Sequence, residues 1–219
     1  MNIPTSAVAE PAAASSLPVA MPLQVAPTRL ADTASLRACI DLVARETHFL
    51  ASCEAPTEEE LARELQESAR SNSIHLVAKD AQRVVGWVHI DRGRGDAVAH
   101  RGDLGMGVLP DYRGCGIGRR LLDDCISVAH ILGIQRVELE VRSDNRRALT
   151  LYRNAGFAVE AIVKGAMKIN DVYHDAFRMC LVTAQQRPGA MDAASTDKGS
   201  PRLAPASGTP LASTGRAGQ

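Results

Sequence analysis

The sequence predicts an α/β (α+β) protein, a mixed sheet with helices on both of its sides. Three observations predict it. Between residues 23 and 184, apolar side chains recur alternately with the period of a strand and with that of a helix. The segment RVELEVR (136–142) alternates strictly, so Val137, Leu139 and Val141 share a face and Glu138 and Glu140 occupy the other. Finally, DYRGCGIGRRLLDDC (111–125) runs a glycine-rich loop from a strand into a helix.

The elements follow in order. A short strand around Leu23 to Leu30 leads into a helix from Thr33 to about Arg45, with Leu36, Ile40 and Val43 on one side. TEEELARELQESA is a second helix, because Thr57 and Glu60 have capping-box spacing and Leu61 and Leu65 lie one turn apart. IHLVAK and RVVGWVHID are apolar runs separated by Asp80, Ala81 and Gln82, hence a hairpin. GDLGMGVLP is the next strand, closed by Pro110, and its glycines mark a bulge or the close approach of another backbone. The helix from Gly116 to about Leu132 then turns Leu121, Leu122, Cys125, Ile126 and Ala129 to one face and Arg119, Arg120, Asp123, Asp124 and Ser127 to the other. After RVELEVR, a helix from about Asn145 to Ala155 stops at Gly156. Two strands near FAVEAIVK and VYHDAFRMCLV complete the domain.

Composition limits what this domain can serve. The 25 basic and 25 acidic residues cancel, which excludes a chain-wide footprint for nucleic acid or an anionic membrane. Five cysteines, odd in number and without CxxC spacing, argue against a disulfide framework and against a metal site, so a reducing cytoplasm is the expected location. No run approaches the ~18 apolar residues of a membrane span. The first 22 residues are apolar, but they contain Glu10 and several prolines and lack a basic start, so a disordered tail is expected over 1–22 rather than an export signal. From 185 to 219 Gly, Pro, Ala, Ser and Thr dominate, predicting a second, low-complexity disordered tail around the domain at 23–184.

The glycine-rich loop carries the chemistry. Two arginines, Arg119 and Arg120, stand in the first turn of its helix, where the unpaired amides already disfavour cations. An anion held by those amides resolves the conflict; so would pairing of the arginines with Asp123 and Asp124. The pattern is neither GxxxxGK[ST] nor GxGxxG, which excludes the nucleoside-triphosphate and dinucleotide loops. What remains is Arg-x-x-Gly-x-Gly, Arg113 to Gly118.

That motif, in its setting VLPDYRGCGIGRRLL, resembles the GCN5-related N-acetyltransferases (GNAT), and a second block, SDNRRALTLYRNAGF, matches the family at Asn145, Ala148, Leu151, Tyr152, Gly156 and Phe157. The resemblance covers roughly Gln24 to Val182, and it points to single-domain enzymes acting on amino acids or on the N-termini of ribosomal proteins. It implies a twisted, mainly antiparallel sheet of six or seven strands flanked by about four helices. It also implies acetyl-CoA as co-substrate, with no metal. The backbone of Met106, Gly107 and Val108 is then expected to pair with the pantetheine arm. The amides of Gly114, Cys115, Gly116, Ile117, Gly118 and Arg119 should hold the pyrophosphate, with Arg113 positioning the turn. Asn145 should bond to the arm, and Tyr152 should lie beside the sulfur. Homodimers are common among such enzymes.

Acyl transfer needs donors for an oxyanion and a proton for the departing thiolate. A tyrosine hydroxyl with an ordinary pKa near ~10 can protonate a thiolate whose acid is near ~8.5. Tyr152 suits that role, though a packed helix tyrosine is the competing reading. A lysine-like amine (pKa ~10.4) costs about 4 kcal/mol to deprotonate near neutrality, so a base helps. Glu140 stands where the resemblance places the base of ribosomal-protein alanine acetyltransferases; alternatively it pairs with Arg142 or Arg136. His89, Asp103 and His48 are weaker candidates. Cys115 lacks a partner base and reads as a small loop residue. The acceptor, a small-molecule amine or a protein N-terminus, should meet THFLASCEAPT and the final hairpin, with Phe49 and Leu50 as an apolar wall and Glu54 facing a cation. An ending GFAVEAIVKGAMKINDVYHDAF departs from the family in placing Ala161 and Asp171 where glycines are usual.

Overall fold

Capping and backbone sign set the helix boundaries. The computed structural model describes residues 23–46, 49–50 and 52–182, so both expected tails, and His48, lie outside the described residues. Helix α1 spans Thr33–Ala44 and α2 spans Glu58–Arg70. At the start of α2, the Thr57 hydroxyl accepts from the Glu60 amide (3.2 Å) and the Glu60 carboxylate accepts from the Thr57 amide (2.9 Å), the reciprocal box its sequence predicts. Helix α3, Ile117–Ile131, begins one residue later than expected, because Gly116 adopts φ 82° and stands outside the helix as its cap. Helix α4, Arg146–Asn154, is capped by Asn145, whose Oδ1 accepts from the Ala148 amide at 3.1 Å.

Seven strands form one sheet: β1 (Gln24–Pro27), β2 (Ile74–Asp80), β3 (Arg83–Arg92), β4 (Arg101–Val108), β5 (Arg136–Arg142), β6 (Ala158–Ile169) and β7 (Val172–Val182). Their spatial order is β1-β2-β3-β4-β5-β7-β6. Strand β1 ends earlier than predicted, because Leu30–Asp32 forms a short 3-10 turn in which the Asp32 carboxylate accepts from the Arg29 amide at 3.0 Å. The hairpin joining β6 and β7 turns through Asn170 (φ 48°) and Asp171 (φ 62°), so both residues that replace glycine accept the left-handed conformation.

All neighbouring strands are antiparallel except β4 and β5. That parallel pair, joined through α3, registers only Arg101 with Arg136, Gly102 with Val137 and Asp103 with Glu138. Beyond Asp103 the two strands diverge, leaving a wedge between Leu104–Val108 and Leu139–Arg142. Its closed end is fixed by Arg101, which pairs with the buried Glu138 at 2.8 Å, and by the Gln135 and Arg136 amides, which donate to the His100 carbonyl.

The core fills both faces of the sheet. Leu121, Leu122 and Cys125 of α3 lose essentially all solvent contact against β2 and β3, while α1 contributes Leu36 and Cys39 and α2 contributes Leu61 and Leu65 from the other face. Burial of each large aliphatic side chain contributes roughly 1.5–3 kcal/mol. No helix among the described residues is long and apolar enough to cross a membrane.

Candidate active site

The wedge and the glycine-rich loop lie at the same end of β4. After Val108 the chain makes a 3-10 turn, Pro110–Tyr112, and then takes left-handed conformations at Gly114 (φ 85°) and Gly116 (φ 82°). A side chain at either site would strain the backbone, and a Cβ at Gly116 would meet nothing within 4 Å, so glycine here serves conformation and leaves the approach open. The first backbone bond into α3 runs from Arg120 to the Gly116 carbonyl at 3.0 Å. The amides of Ile117, Gly118 and Arg119 therefore have no acceptor within the helix, and the helix dipole adds partial positive charge there. Ile117 is anchored by its buried side chain, and Gly118 lets Met106, Val108 and Leu151 approach within 3.5–3.9 Å of where a Cβ would stand. The exposed Cys115 is a free thiol lying 3.9 Å from the Arg113 carbonyl.

Arg113 straps this loop to its surroundings. Its Nε donates to the Val108 carbonyl at 2.8 Å, and its guanidinium pairs with Glu46 at 2.9 Å. Arg119 turns to Asp123 (2.7 Å) and the Asn154 carbonyl (3.0 Å); Arg120 reaches the Leu23 carbonyl at 3.2 Å and lies 3.9 Å from Asp124. Pairing one turn along the helix thus accounts for both cations, and of their two backbone amides only that of Arg119 is left without a helical acceptor.

On the other rim of the wedge, the Asn145 amide nitrogen Nδ2 remains available after Oδ1 caps α4. Tyr152, about two turns further, is 8% exposed, with its ring 5.7 Å from that of Phe157. Burial pushes its phenol above the ordinary value, and its hydroxyl makes no hydrogen bond among the described residues. Glu140 does not pair with Arg142 or Arg136. It meets Arg178, its cross-strand neighbour on β7, at 3.1 Å, while Arg142 bonds to Asp144 and lies 5.2 Å from the Phe49 ring centroid.

A cleft of about 510 Å³ opens on the α1 and α2 side of the sheet. Leu36 and Ile40 of α1, Leu61 and Glu64 of α2, and the intervening Leu50 and Glu54 form its walls. Its floor includes Trp87, His89 and Asp91 of β3 and Gly105 and Met106 of β4. No residue of β6 or β7 lines it, which corrects the expectation for the final hairpin; those strands lie at the far edge of the sheet, beyond β5.

The floor was hidden from composition but not from register. Trp87 faces Gly107 and His89 faces Gly105 across β3 and β4. A Cβ at Gly107 would lie 2.2 Å from the Trp87 ring, and one at Gly105 would lie 2.4 Å from His89 Cε1 and 2.6 Å from its Nε2. The two glycines are therefore seats for two rings. Trp87, His89 and Asp91 stand two apart in GWVHID, which puts them on one face, and His75 lies opposite His89 on β2. The imidazoles stack with centroids 5.3 Å apart, and Asp91 places one carboxylate oxygen 3.7 Å from Nε2 of each. Glu46, His75, Asp91 and Glu64 were not singled out by the sequence, because each needs the tertiary pairing to acquire its neighbour.

Known proteins share this fold. The profile described as the acetyltransferase (GNAT) family matches residues 39–157. The N-alpha-acetyltransferase RimI of Mycobacterium tuberculosis is 40% identical over 93 residues, 42% of this chain and 56% of that protein. Curated relatives are matched over 18% to 56% of their own length. A GNAT-family acetyltransferase from Streptococcus pneumoniae superposes with a TM-score of 0.70 and 29% identity, covering 73% of this chain and 99% of that one. A putative acetyltransferase from Salmonella typhimurium, solved with its cofactor acetyl-CoA, superposes equally well (TM-score 0.70) at 19% identity, covering 75% and 96%.

Proposed function

Because the chain belongs to the acetyltransferase (GNAT) family, we propose that it transfers the acetyl group of acetyl-CoA directly to a primary amine of a small molecule held in the cleft above Gly105 and Met106. The observation that carries this reading is the convergence of three features on one strand end: the wedge, the loop of free amides, and the cleft floor. Amides of Gly114, Cys115, Gly116, Ile117, Gly118 and Arg119 would hold the pyrophosphate, an assignment supported by their lack of helical acceptors. Met106, Gly107 and Val108 would pair along the pantetheine arm within the wedge, and Asn145 Nδ2 would donate to it from the other rim. Arg113 keeps the loop in place through Val108 and Glu46.

In the reaction, the amine nitrogen forms its bond to the thioester carbonyl carbon, and the oxyanion so formed takes hydrogen bonds from the β4 backbone. The carbon-sulfur bond then breaks, the Tyr152 hydroxyl gives its proton to the thiolate, and the proton that the acylated nitrogen sheds restores the phenol. Burial disfavours the phenolate, so Tyr152 holds its proton at neutral pH but is a weaker acid than an exposed phenol, and its hydroxyl would act first by hydrogen bonding to the departing thiolate. Acylation of the enzyme is not required.

A second reading, transfer to a protein N-terminus, is favoured by the likeness to the Mycobacterium tuberculosis N-alpha-acetyltransferase. The size of the cleft, about 510 Å³ with walls from two helices, favours the small molecule. Release of free thiol from acetyl-CoA, followed across amino acids, polyamines, aminoglycosides and N-terminal peptides, decides between them. We expect turnover with a small amine, and a fall of about 10²–10⁴-fold in kcat for Tyr152→Phe with unchanged acetyl-CoA affinity. Turnover with peptides alone selects the second reading; calorimetric binding of acetyl-CoA with no turnover on any acceptor makes the protein a binding module.

A further inference from the structure

The stacked histidines call for an explanation that the transfer step leaves open. His75 Nε2 is buried and makes no hydrogen bond, and both Asp91 contacts, at 3.7 Å, exceed hydrogen-bond length. A buried ring nitrogen held only by a loose ionic contact calls for an explanation in a native structure. This one lies at the inner end of the acceptor cleft, where His89 covers Gly105, the residue next to Met106.

We infer that His89 is the base that accepts the proton of the incoming ammonium, with Asp91 and His75 as positioning residues that hold and polarise its imidazole. The inference rests on the acetyltransferase reading above, and it deepens it by placing the amine's proton. An ammonium entering the cleft gives one proton to the His89 imidazole, and the imidazolium that results is stabilised by the Asp91 carboxylate. The neutral amine keeps its lone pair and attacks the thioester. Glu140, engaged with Arg178 on the sheet's exposed flank, is not needed for this step.

The charges around His89 agree. Burial lowers its pKa from the ordinary histidine value, Asp91 works in the opposite direction, and His75 adds to the lowering, so the imidazole is neutral and ready at neutral pH. Burial raises Glu64, which faces the cluster from α2, and Asp91 adds to that rise; Asp103 on β4 is raised by burial and then by Glu138. Glu54 faces the cleft from the connecting segment. The cations are directed elsewhere, since Arg92 donates to the Ala99 and Leu132 carbonyls and Arg94 lies 3.8 Å from Glu67. The cleft therefore presents net negative charge to an arriving cation, and the acceptor class it fits is a small cationic amine.

The test is the pH dependence of kcat/KM with an amine of pKa near 10. With a histidine base, the native enzyme should rise through an inflection below about pH 6.5 and then stay level toward pH 9. His89→Gln should instead lose about 10²–10⁴-fold at pH 7 and recover roughly tenfold per pH unit as the free amine becomes neutral by itself. Acetyl-CoA affinity by calorimetry should not change, which controls for folding, and Glu140→Gln should keep the native profile. Should His89→Gln fail to fold, NMR titration of the His89 ring decides the matter: its pKa must coincide with the kinetic inflection, and Asp91→Asn must lower both together. Turnover that survives His89→Gln, a loss equal at every pH, an inflection unmoved by Asp91→Asn, or the pH-recovered profile appearing in Glu140→Gln instead, overturns the proposal alone. Absence of turnover on every amine overturns this proposal and the transferase reading together.

Discussion

Two glycines in GDLGMGV do work that no property of glycine in isolation announces. Gly105 and Gly107 are not at positive φ; they are small because His89 and Trp87 rest on them. Gly107→Ala would put a methyl group 2.2 Å from a Trp87 ring that is 7% exposed and enclosed by its neighbours. The ring must shift, at a cost of about 1–3 kcal/mol. The expected result is a drop of several degrees in melting temperature by calorimetry, a raised KM for the amine and, because Gly107 is proposed to pair along the pantetheine arm, a weaker affinity for acetyl-CoA. The sequence pointed to a bulge or to another backbone at these glycines; the register with β3 is unbroken, and what approaches is a pair of rings, legible only through the register that sets Trp87 against Gly107. Glycines of the other kind were readable outright. Gly114 and Gly116 were singled out by their motif, and the structure adds that both take positive φ. The two arginines after them were readable only as a pair of alternatives, because sequence spacing allows an anion and an aspartate equally; the structure seats them on Asp123, Asp124 and two carbonyls.

At the scale of elements, strong period and capping carried most of the information. Helix α2 could be placed to within a residue from Thr57 and Glu60, and α3 from its apolar face. Strand β1 was overestimated because apolar residues continue into a 3-10 turn that only the Arg29 and Asp32 bond distinguishes. The final hairpin was assigned correctly as strands and wrongly as a wall of the acceptor site, since strand order across a sheet depends on long-range pairing. Helix α3 bears on both halves of the site: its first turn offers the free amides, and its buried face joins β2 and β3. Leu121, 0% exposed and within 3.2 Å of where a Gly86 Cβ would stand, is a principal contact of that face. Leu121→Ala should lower unfolding free energy by about 2–5 kcal/mol in a denaturant titration, with the slope unchanged. If the helix also fixes the loop, acetyl-CoA affinity should fall in step; an unchanged affinity would show that Arg113 and Glu46 suffice to hold the loop.

For the whole molecule, the balance of charge hides a distribution of partly buried ion pairs that sets the acid limit of stability. Burial alone would raise Asp32 and Glu138, but Lys79 outweighs it for the first, and Arg136 with Arg101 for the second, so both carboxyls titrate below their ordinary values. Their stabilising contribution is fully present above the unfolded values, about pH 4, and is lost as pH falls through the lower folded ones. Melting temperature should accordingly decline from about pH 4 downward, and Lys79→Met should lessen the part of that decline that belongs to Asp32. Net charge, readable from the sequence, foretold none of this, because the pairs join residues as far apart as Asp32 and Lys79 or Arg101 and Glu138. The wedge between β4 and β5 has a further meaning at this scale. Paired strands lie about 4.8 Å apart, so a foreign strand slipped between two others needs double that separation along its whole length. A gap pinned shut at Asp103 and Glu138 grants such room only at its mouth. It therefore works as a thickness gauge: an unbranched, flexible chain can thread toward the apex, while polypeptide cannot, and a sheet with unpaired backbone at its very centre is spared the edge-to-edge aggregation that exposed strands invite.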